Sequence, residues 1–279
     1  MTELAFSQAY KLGNRFAQGS RGMLYECTHN ATGRAFACKI VRGEDNIRVN
    51  RSEEKMTRAC DHNNIVRIHK VSFDYTNHFT PRKMIVYDRA EGDMFNYVVE
   101  DVVNEFTESQ AKTIIRQMLN AVVYLHSNNI VHRDIKLENF LYDRIDKTKP
   151  KTPDNINVVL TDFEFADFAE ENGYLRGRKG TDGYIAPEIF LDDYYTSAVD
   201  VWAMGVCCHS ILTKKSILKY PPSSKYTFGR YERFRINYNT LQWKSRSEKA
   251  KEFVDAFLQQ DPTKRWSIQD ALNHEWLTC

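Results

Sequence analysis

Four short stretches of the chain carry side chains able to hold a cation, meet an anion or exchange a proton. "HRDIKLENFL", from His132, sets a carboxylate (Asp134), an ammonium (Lys136) and a carboxamide (Asn139) in one short segment. "TDFEF", Thr161 to Phe165, adds Asp162, and "AFACKIV", Ala35 to Val41, carries Lys39 as its one charge. "RSEEKM" offers two adjacent carboxylates, Glu53 and Glu54. His, Arg and Asp also gather in ordinary structural networks, so no one string is decisive alone.

The elements that must position these groups are legible from periodicity. "AFACKIV" alternates, with Ala35, Ala37 and Lys39 on one face and Phe36, Cys38 and Ile40 on the other, which predicts a strand. "MIVY", Met84 to Tyr87, reads as a second, buried strand. "TESQAKTIIRQMLNAVVYLH" is helical, with Ala111, Ile114, Ile115, Met118, Val122 and Leu125 on one stripe and Thr107 with Gln110 as a capping box. "HRDIKLENFL" then falls in a loop after that helix and before a short strand. Neighbours on a helix point about 100° apart, so only one of Glu53 and Glu54 can face a given cleft. Strands with an intervening helical stretch come first, and mostly helices follow. This order predicts a small β-rich lobe over 10–87, a connection over 88–92 and a larger helical lobe over 93–279, with a ligand cleft between lobes.

Taken in order, the strings resemble the motifs of eukaryotic-type protein kinases. "HRDIKLEN" resembles the catalytic loop HRDxxxxN and "FACK" the strand motif VAIK. "TDFEF" nearly spells the family's metal-binding triplet, and "GTDGYIAPE" resembles the close of the activation loop. "DVWAMG" and "DPTKRW" resemble two structural anchors, which places Asp200, Arg265 and Glu188 in structural roles. The likeness runs from Phe16 to Leu277 and is nearest the calcium/calmodulin-dependent and checkpoint-like serine/threonine kinases; lysine two places after the aspartate is the serine/threonine form.

The resemblance implies an α+β, bilobal protein-kinase fold that uses ATP and Mg2+ in phosphoryl transfer. On this reading Asp134 orients the substrate hydroxyl and accepts its proton, Lys136 steadies the transferred group, and Asn139 and Asp162 hold metal. Lys39 grips phosphates, with Glu53 as its partner by spacing to "HNNIV", and Thr181 bonds near Asp134. The nucleotide would be met by Ala17, Gly19 and Gly22 of a glycine-rich loop and by Leu24, Ala37, Lys39, Asp88, Ala90 and Leu141.

Three departures qualify the likeness. Ala17 replaces the first loop glycine, which weakens nucleotide binding only if that position requires positive φ, and Arg21 stands at the loop tip, facing either phosphate or solvent. Glu164 replaces the glycine of the triplet and narrows the backbone freedom there, favouring Asp162 turned inward. Between Phe163 and Gly180 there is no serine or threonine; Tyr174 is the only hydroxyl, so either Glu170 or Glu171 supplies the negative charge that a phosphate would offer Arg133, or these acids merely face water. Ala17 and Glu164 also motivate an alternative, a pseudokinase acting as a nucleotide-binding or scaffold module.

Composition bounds the partners. Lys plus Arg number 39 against 37 Asp plus Glu, a net charge of +2, which argues against recruitment of nucleic acid or membrane by an overall field. Six cysteines without CxxC spacing read as free thiols of an intracellular protein. "MTELAFSQAY" lacks the pattern of a signal peptide, and the kinase likeness ends close to the last residue, so no inhibitory tail is expected within these residues. Asp93 and Glu138 sit where the family's basic-directed members receive arginine, so protein substrates with a basic residue about three places upstream of Ser or Thr are expected. "DKTKPKTPDN" reads as a solvated polar loop, and the basic stretch Lys214 to Lys251 as a solvated face or, less commonly, a docking surface for an acidic partner or nucleic acid.

Overall fold

The computed structural model describes residues 6–19, 22–74, 81–100, 106–215 and 235–278. Arg21, Cys279 and most of the basic stretch, 216–234, lie outside the described residues. The chain divides into two compact units, Met1–Glu91 with Asp162–Glu164, and Gly92–Thr161 with Phe165–Cys279. The triplet of "TDFEF" thus belongs with the first unit although it is remote from it in sequence.

The first unit begins with a helical turn, α1 (Phe6–Ala9), and strands β1 (Tyr10–Gln18), β2 (Met23–His29) and β3 (Ala35–Arg42). Helix α2 (Glu44–Arg58) precedes β4 (Ile68–Asp74) and β5 (Arg82–Asp88). The strands form one antiparallel sheet in the order β1-β2-β3-β5-β4. On one face Phe36, Cys38 and Ile40 of β3 pack with Tyr10, Cys27 and Val86. Burial pushes the Cys38 thiol up to about 12 and that of Cys27 up to about 11, so both serve as small hydrophobes. The other face carries Ala37 and Lys39, both buried. Helix α2 is unusual in that its buried positions include Asn50, Glu53 and Thr57 beside the apolar Ile47 and Met56.

In the second unit, β6 (Gly92–Asp93) leads through a π-helical turn at Asn96–Glu100 to α3 (Glu108–Ser127) and β7 (Ile130–Val131). Strands β8 (Phe140–Arg144), β9 (Ile156–Leu160) and β10 (Asp167–Phe168) follow. Helix α4 (Ala198–Thr213) and short helices at Leu241–Lys244, Glu248–Phe257, Ile268–Leu272 and Glu275–Thr278 complete it. Thr107 and Gln110 form the reciprocal capping box of α3, whose apolar stripe is buried and widened by Leu119 and Ala121. Helix α4 is buried on all sides, as an almost uniformly apolar helix must be. Its Gly205 permits close packing: a Cβ there would stand 2.6 Å from Cβ of Phe257.

One ion pair anchors polar groups in this apolar surround. Arg265 holds both carboxylate oxygens of Glu188, with Nη2 to Oε2 at 2.8 Å, donates to the carbonyls of Ala198 and Gln259, and stacks over Trp202. Removing one partner of so buried a pair strands the other, at a cost of about 3–5 kcal/mol. The polar loop after β8 is less solvated than its composition implies. Its outer residues are exposed, but Asn155 is buried and donates to the carbonyls of Asp146 and Pro150.

Candidate active site

In the first unit, Lys39 lies on β3 opposite Leu24 of β2 and Ile85 of β5. Its Nζ donates to Glu53 Oε1 at 2.7 Å, with both side chains nearly excluded from water. Glu54 turns elsewhere, to Lys83 at 2.7 Å and Arg58 at 2.8 Å. Gly22 is required by its surroundings, because a Cβ would come within 2.9 Å of the Ile40 carbonyl oxygen and 3.3 Å of Lys39 Cγ. Gly19 closes the β1–β2 turn by donating to the Gly22 carbonyl. Ala17 pairs with Leu24 beside a register shift in the β1–β2 ladder and is not among the residues at positive φ, so alanine carries no left-handed strain there. Ala37 pairs with Tyr87, and Ala90 is half-buried just beyond β5. The carboxylate of Asp88 is committed to Arg34 at 2.7 Å and His69 at 2.9 Å.

Asp162 carries positive φ, 61°, and the residues after it, Phe163–Phe165, make a single 3-10 turn in which Phe163 is fully buried. The left-handed residue of the triplet is therefore the aspartate, and Glu164 occupies a turn position that any side chain can take. Asp162 Oδ1 is buried and accepts no hydrogen bond from the described residues. Tyr87, which local patterns did not single out, likewise buries an unpartnered hydroxyl. Burial, then the charges of Glu53, Asp162 and Glu54, push its phenol well above the ordinary range.

The second unit holds the group from "HRDIKLEN". Thr181 Oγ1 donates to Asp134 Oδ1 at 2.6 Å, while Lys136 Nζ donates to Thr181 Oγ1 at 2.7 Å and lies 2.9 Å from Asp134 Oδ2. Asn139 Nδ2 donates to Asp134 Oδ2 at 3.1 Å and to its carbonyl at 2.8 Å. Asp134 is thereby fixed through both oxygens while buried. Leu141, on β8 opposite Val159, belongs to this unit also. Among the described residues no cluster of three or more His, Cys, Asp or Glu could hold a metal ion. A magnesium ion needs less than that, since it is often held by one or two carboxylates together with phosphates and water. In the first unit Asp162 has an orphaned buried oxygen of the kind such an ion takes, and in the second unit Asn139 donates its amide N–H groups to Asp134.

A buried carboxylate sets the loop itself. Asp200 accepts the backbone N–H of His132 at 2.9 Å and of Arg133 at 2.8 Å, and His126 Nε2 stands 3.0 Å away. Positive φ at Arg133, 64°, lets consecutive N–H groups converge on it. Burial alone would raise Asp200, but the bond and charge of His126 and those of His132 outweigh it and hold the carboxyl below its ordinary value. His132 turns Nε2 to the Thr161 carbonyl at 3.1 Å and Nδ1 to the Asp134 N–H at 3.3 Å.

Of the two readings of Glu170 and Glu171, the structure favours solvated acids: both are exposed and neither meets Arg133. Its Nη2 donates to Asp167 Oδ2 at 3.0 Å, its Nε to the Phe165 carbonyl at 2.6 Å, and its Nη1 to the Arg176 carbonyl at 3.1 Å. The reason is the ladder: Asp167 pairs with Val131, two residues before Arg133, whereas Glu170 lies in the turn beyond and stands 3.7 Å from Arg176. Asp93 accepts from N and Nδ2 of Asn96, and the exposed Glu138 accepts from Tyr184 at 3.3 Å. In the basic stretch, Lys249 pairs with Glu275 and Lys251 with Glu248.

A five-stranded sheet with its buried lysine–glutamate pair, and a helical unit with an aspartate fixed on an HRD loop, are features of a protein kinase domain. The protein kinase domain family matches residues 10–277, and the chain belongs to that family. It is 30% identical over 278 residues to a probable myosin light chain kinase of Dictyostelium discoideum, covering 96% of this chain and 83% of that one. It is 30% identical over 283 residues to calcium/calmodulin-dependent protein kinase type II of Caenorhabditis briggsae, covering 98% and 49%. To the type 1 enzyme of Caenorhabditis elegans it is 32% identical over 248 residues, covering 86% and 64%. The chain thus spans about half of the type II relative and under two thirds of the type 1 relative.

The lowered carboxyl of Asp200 has a pH signature. Its contribution to stability is complete above the ordinary value of 3.8 and is lost as pH falls through 3.8 toward the lowered folded value. Asp200→Asn is expected to cost about 2–4 kcal/mol at pH 7 by urea unfolding. The gap between wild type and variant is expected to narrow at pH 3; a gap equal at both values refutes the assignment.

Proposed function

We propose that the chain is an active serine/threonine protein kinase that transfers the γ-phosphoryl group of ATP, with Mg2+, to hydroxyls of protein substrates in an intracellular compartment. The observation that carries this reading is the closed ring of hydrogen bonds among Asp134, Lys136 and Thr181, with Asn139 behind it. Phosphoryl transfer asks little covalent chemistry of a protein and much positioning and charge neutralisation. Asp134, held at both oxygens, aims a carboxylate at an incoming hydroxyl and takes its proton. Lys136 offers an ammonium beside it for the transferred group. Lys39, kept in register by Glu53, meets phosphate oxygens. Asp162 and Asn139 would hold the magnesium ion, which when bound neutralises charge on the phosphates.

Ala17 and Glu164, which motivated a scaffold-only alternative, both occupy positions without positive φ, so neither distorts the site. Transfer of radiolabelled phosphate from ATP to a basic peptide is expected, and Asp134→Asn and Asp162→Asn are each expected to lower kcat at least about a hundredfold. Wild-type activity no higher than that of these variants means the chain is a binding module.

Glu138, exposed on the turn beside Asn139, and Asp93 support a preference for a basic residue about three places before the target, through charge-assisted bonds to arginine. A positional peptide array is expected to show that preference, and a flat response there removes it.

The Arg133–Asp167 pair supports activity without an activating phosphorylation, because the guanidinium already has its anion and its carbonyl acceptors. Protein shown to be phosphate-free by mass spectrometry is expected to be fully active, and Asp167→Asn to lower kcat several-fold. Activity that appears only after treatment with another kinase contradicts this.

A further inference from the structure

The lysines of β3 and β5 share a face. Lys39 pairs with Ile85 and Val41 with Lys83, so Lys39 and Lys83 are diagonal neighbours on the side of the sheet opposite Phe36, Cys38 and Ile40. Lys83 is fully buried, and Lys39 is nearly so. Two ammonium groups removed from water on one face repel each other and each needs a carboxylate. Adjacent residues of α2 supply them. Glu53 Oε1 takes Lys39 and Glu54 Oε2 takes Lys83, each at 2.7 Å.

Asn50 joins the two pairs. Its Nδ2 donates to Glu53 Oε2 at 2.5 Å, and its backbone carbonyl accepts from Lys83 at 3.2 Å. Thr57 donates to the Glu53 carbonyl and Arg58 to Glu54 Oε1, so the network runs for two turns of the helix. Burial tends to raise Glu54, but hydrogen bonds from Lys83 and Arg58 hold it low, in keeping with an ionised partner. The apolar anchorage of α2 is slight, with Ile47 and Met56 its buried apolar side chains among those described.

We propose that Glu54 and Lys83, coupled through Asn50, form a positioning pair that fixes the rotation of α2 and thereby holds Glu53 against Lys39. A helix turned by one residue, about 100°, breaks both pairs at once and strands two buried ammonium groups. The polar network therefore selects one rotation where a wholly apolar face would tolerate several. This rests on the reading of Lys39 as the ligand of nucleotide phosphate.

Glu54→Gln, a near-isosteric change at a partly exposed carboxylate, and Lys83→Met, an apolar replacement of similar length, test the idea in the whole chain. Hydrogen exchange of the nucleotide-free protein is expected to quicken across 44–58 in both, with β1 and β2 unchanged. Calorimetric affinity for ADP with Mg2+ is expected to weaken about tenfold, part of the roughly hundredfold that remote misplacement can cost. KM for ATP is expected to rise and KM for peptide to stay. Combined with Glu53→Gln, Glu54→Gln is expected to add little, because the contact it positions is already gone. Unchanged exchange over 44–58 and unchanged ADP affinity overturn the proposal, even if the melting temperature falls. Should the wild-type chain fail to bind ADP, the proposed function falls, and exchange over 44–58 still decides the positioning role.

Discussion

Asp200 is almost wholly buried and keeps its charge, and a carboxylate so placed must be surrounded by donors. Two of those donors are backbone N–H groups from adjacent residues, His132 and Arg133. Here the successive amides converge on one carboxylate because the chain turns left-handed at Arg133, at φ 64°. Strain of this kind, of the order of 1–3 kcal/mol, persists only where surrounding structure over-determines it. The same turn sends the Arg133 side chain to Asp167, Phe165 and Arg176, and leads directly into Asp134. One buried charge thus sets the course of the backbone into Asp134 and the anchorage of the segment after β9.

The two units stabilise their chemistry differently. In the helical unit an apolar core comes first: α3 presents a wide buried stripe and α4 is buried all round, so Asp200, Glu188 and Arg265 are polar insertions whose partners are fixed by packing. In the sheet unit the helix carrying Glu53 has little apolar surface to bury, and its place is set by charge. Apolar packing is tolerant of small rotations, whereas a buried ion pair fails within an ångström or so of misplacement. Precision at Lys39 therefore comes from the polar side of α2.

Local order was legible and non-local pairing was not. Alternation placed Lys39 on the small-residue face of a strand, and the 3.6 period with Thr107 and Gln110 placed α3 and its cap, because each depends on neighbours in sequence. The angle between adjacent helical residues separated Glu53 from Glu54, yet it could not say what Glu54 does. Lys83 reads as an ordinary charge at the start of a strand, and only the β3–β5 register turns it to the same face as Lys39. Asp167 was missed for a like reason. Its partner is chosen by pairing of the two-residue strands β7 and β10, a contact across more than thirty residues that composition does not encode, while Glu170 and Glu171 looked equivalent to it as charges.

Glutamate in place of glycine at position 164 shows where such a substitution acts. If the third residue of the triplet needed positive φ, Glu164 would carry strain and the site would be distorted. The left-handed residue is instead Asp162, and Glu164 lies within the 3-10 turn that buries Phe163. The observed geometry therefore loses nothing by having a side chain there. A glycine at 164 would open the left-handed region and its mirror β region as well, and with them routes by which Phe163 leaves its buried position. Glutamate disfavours those alternatives in both the unfolded chain and any rearranged one, so its effect is expected to fall on the competing states and to leave the native one as it is. The departure that first looks like damage to a metal site is, in energetic terms, a restriction on how the residues around Asp162 can move away from it.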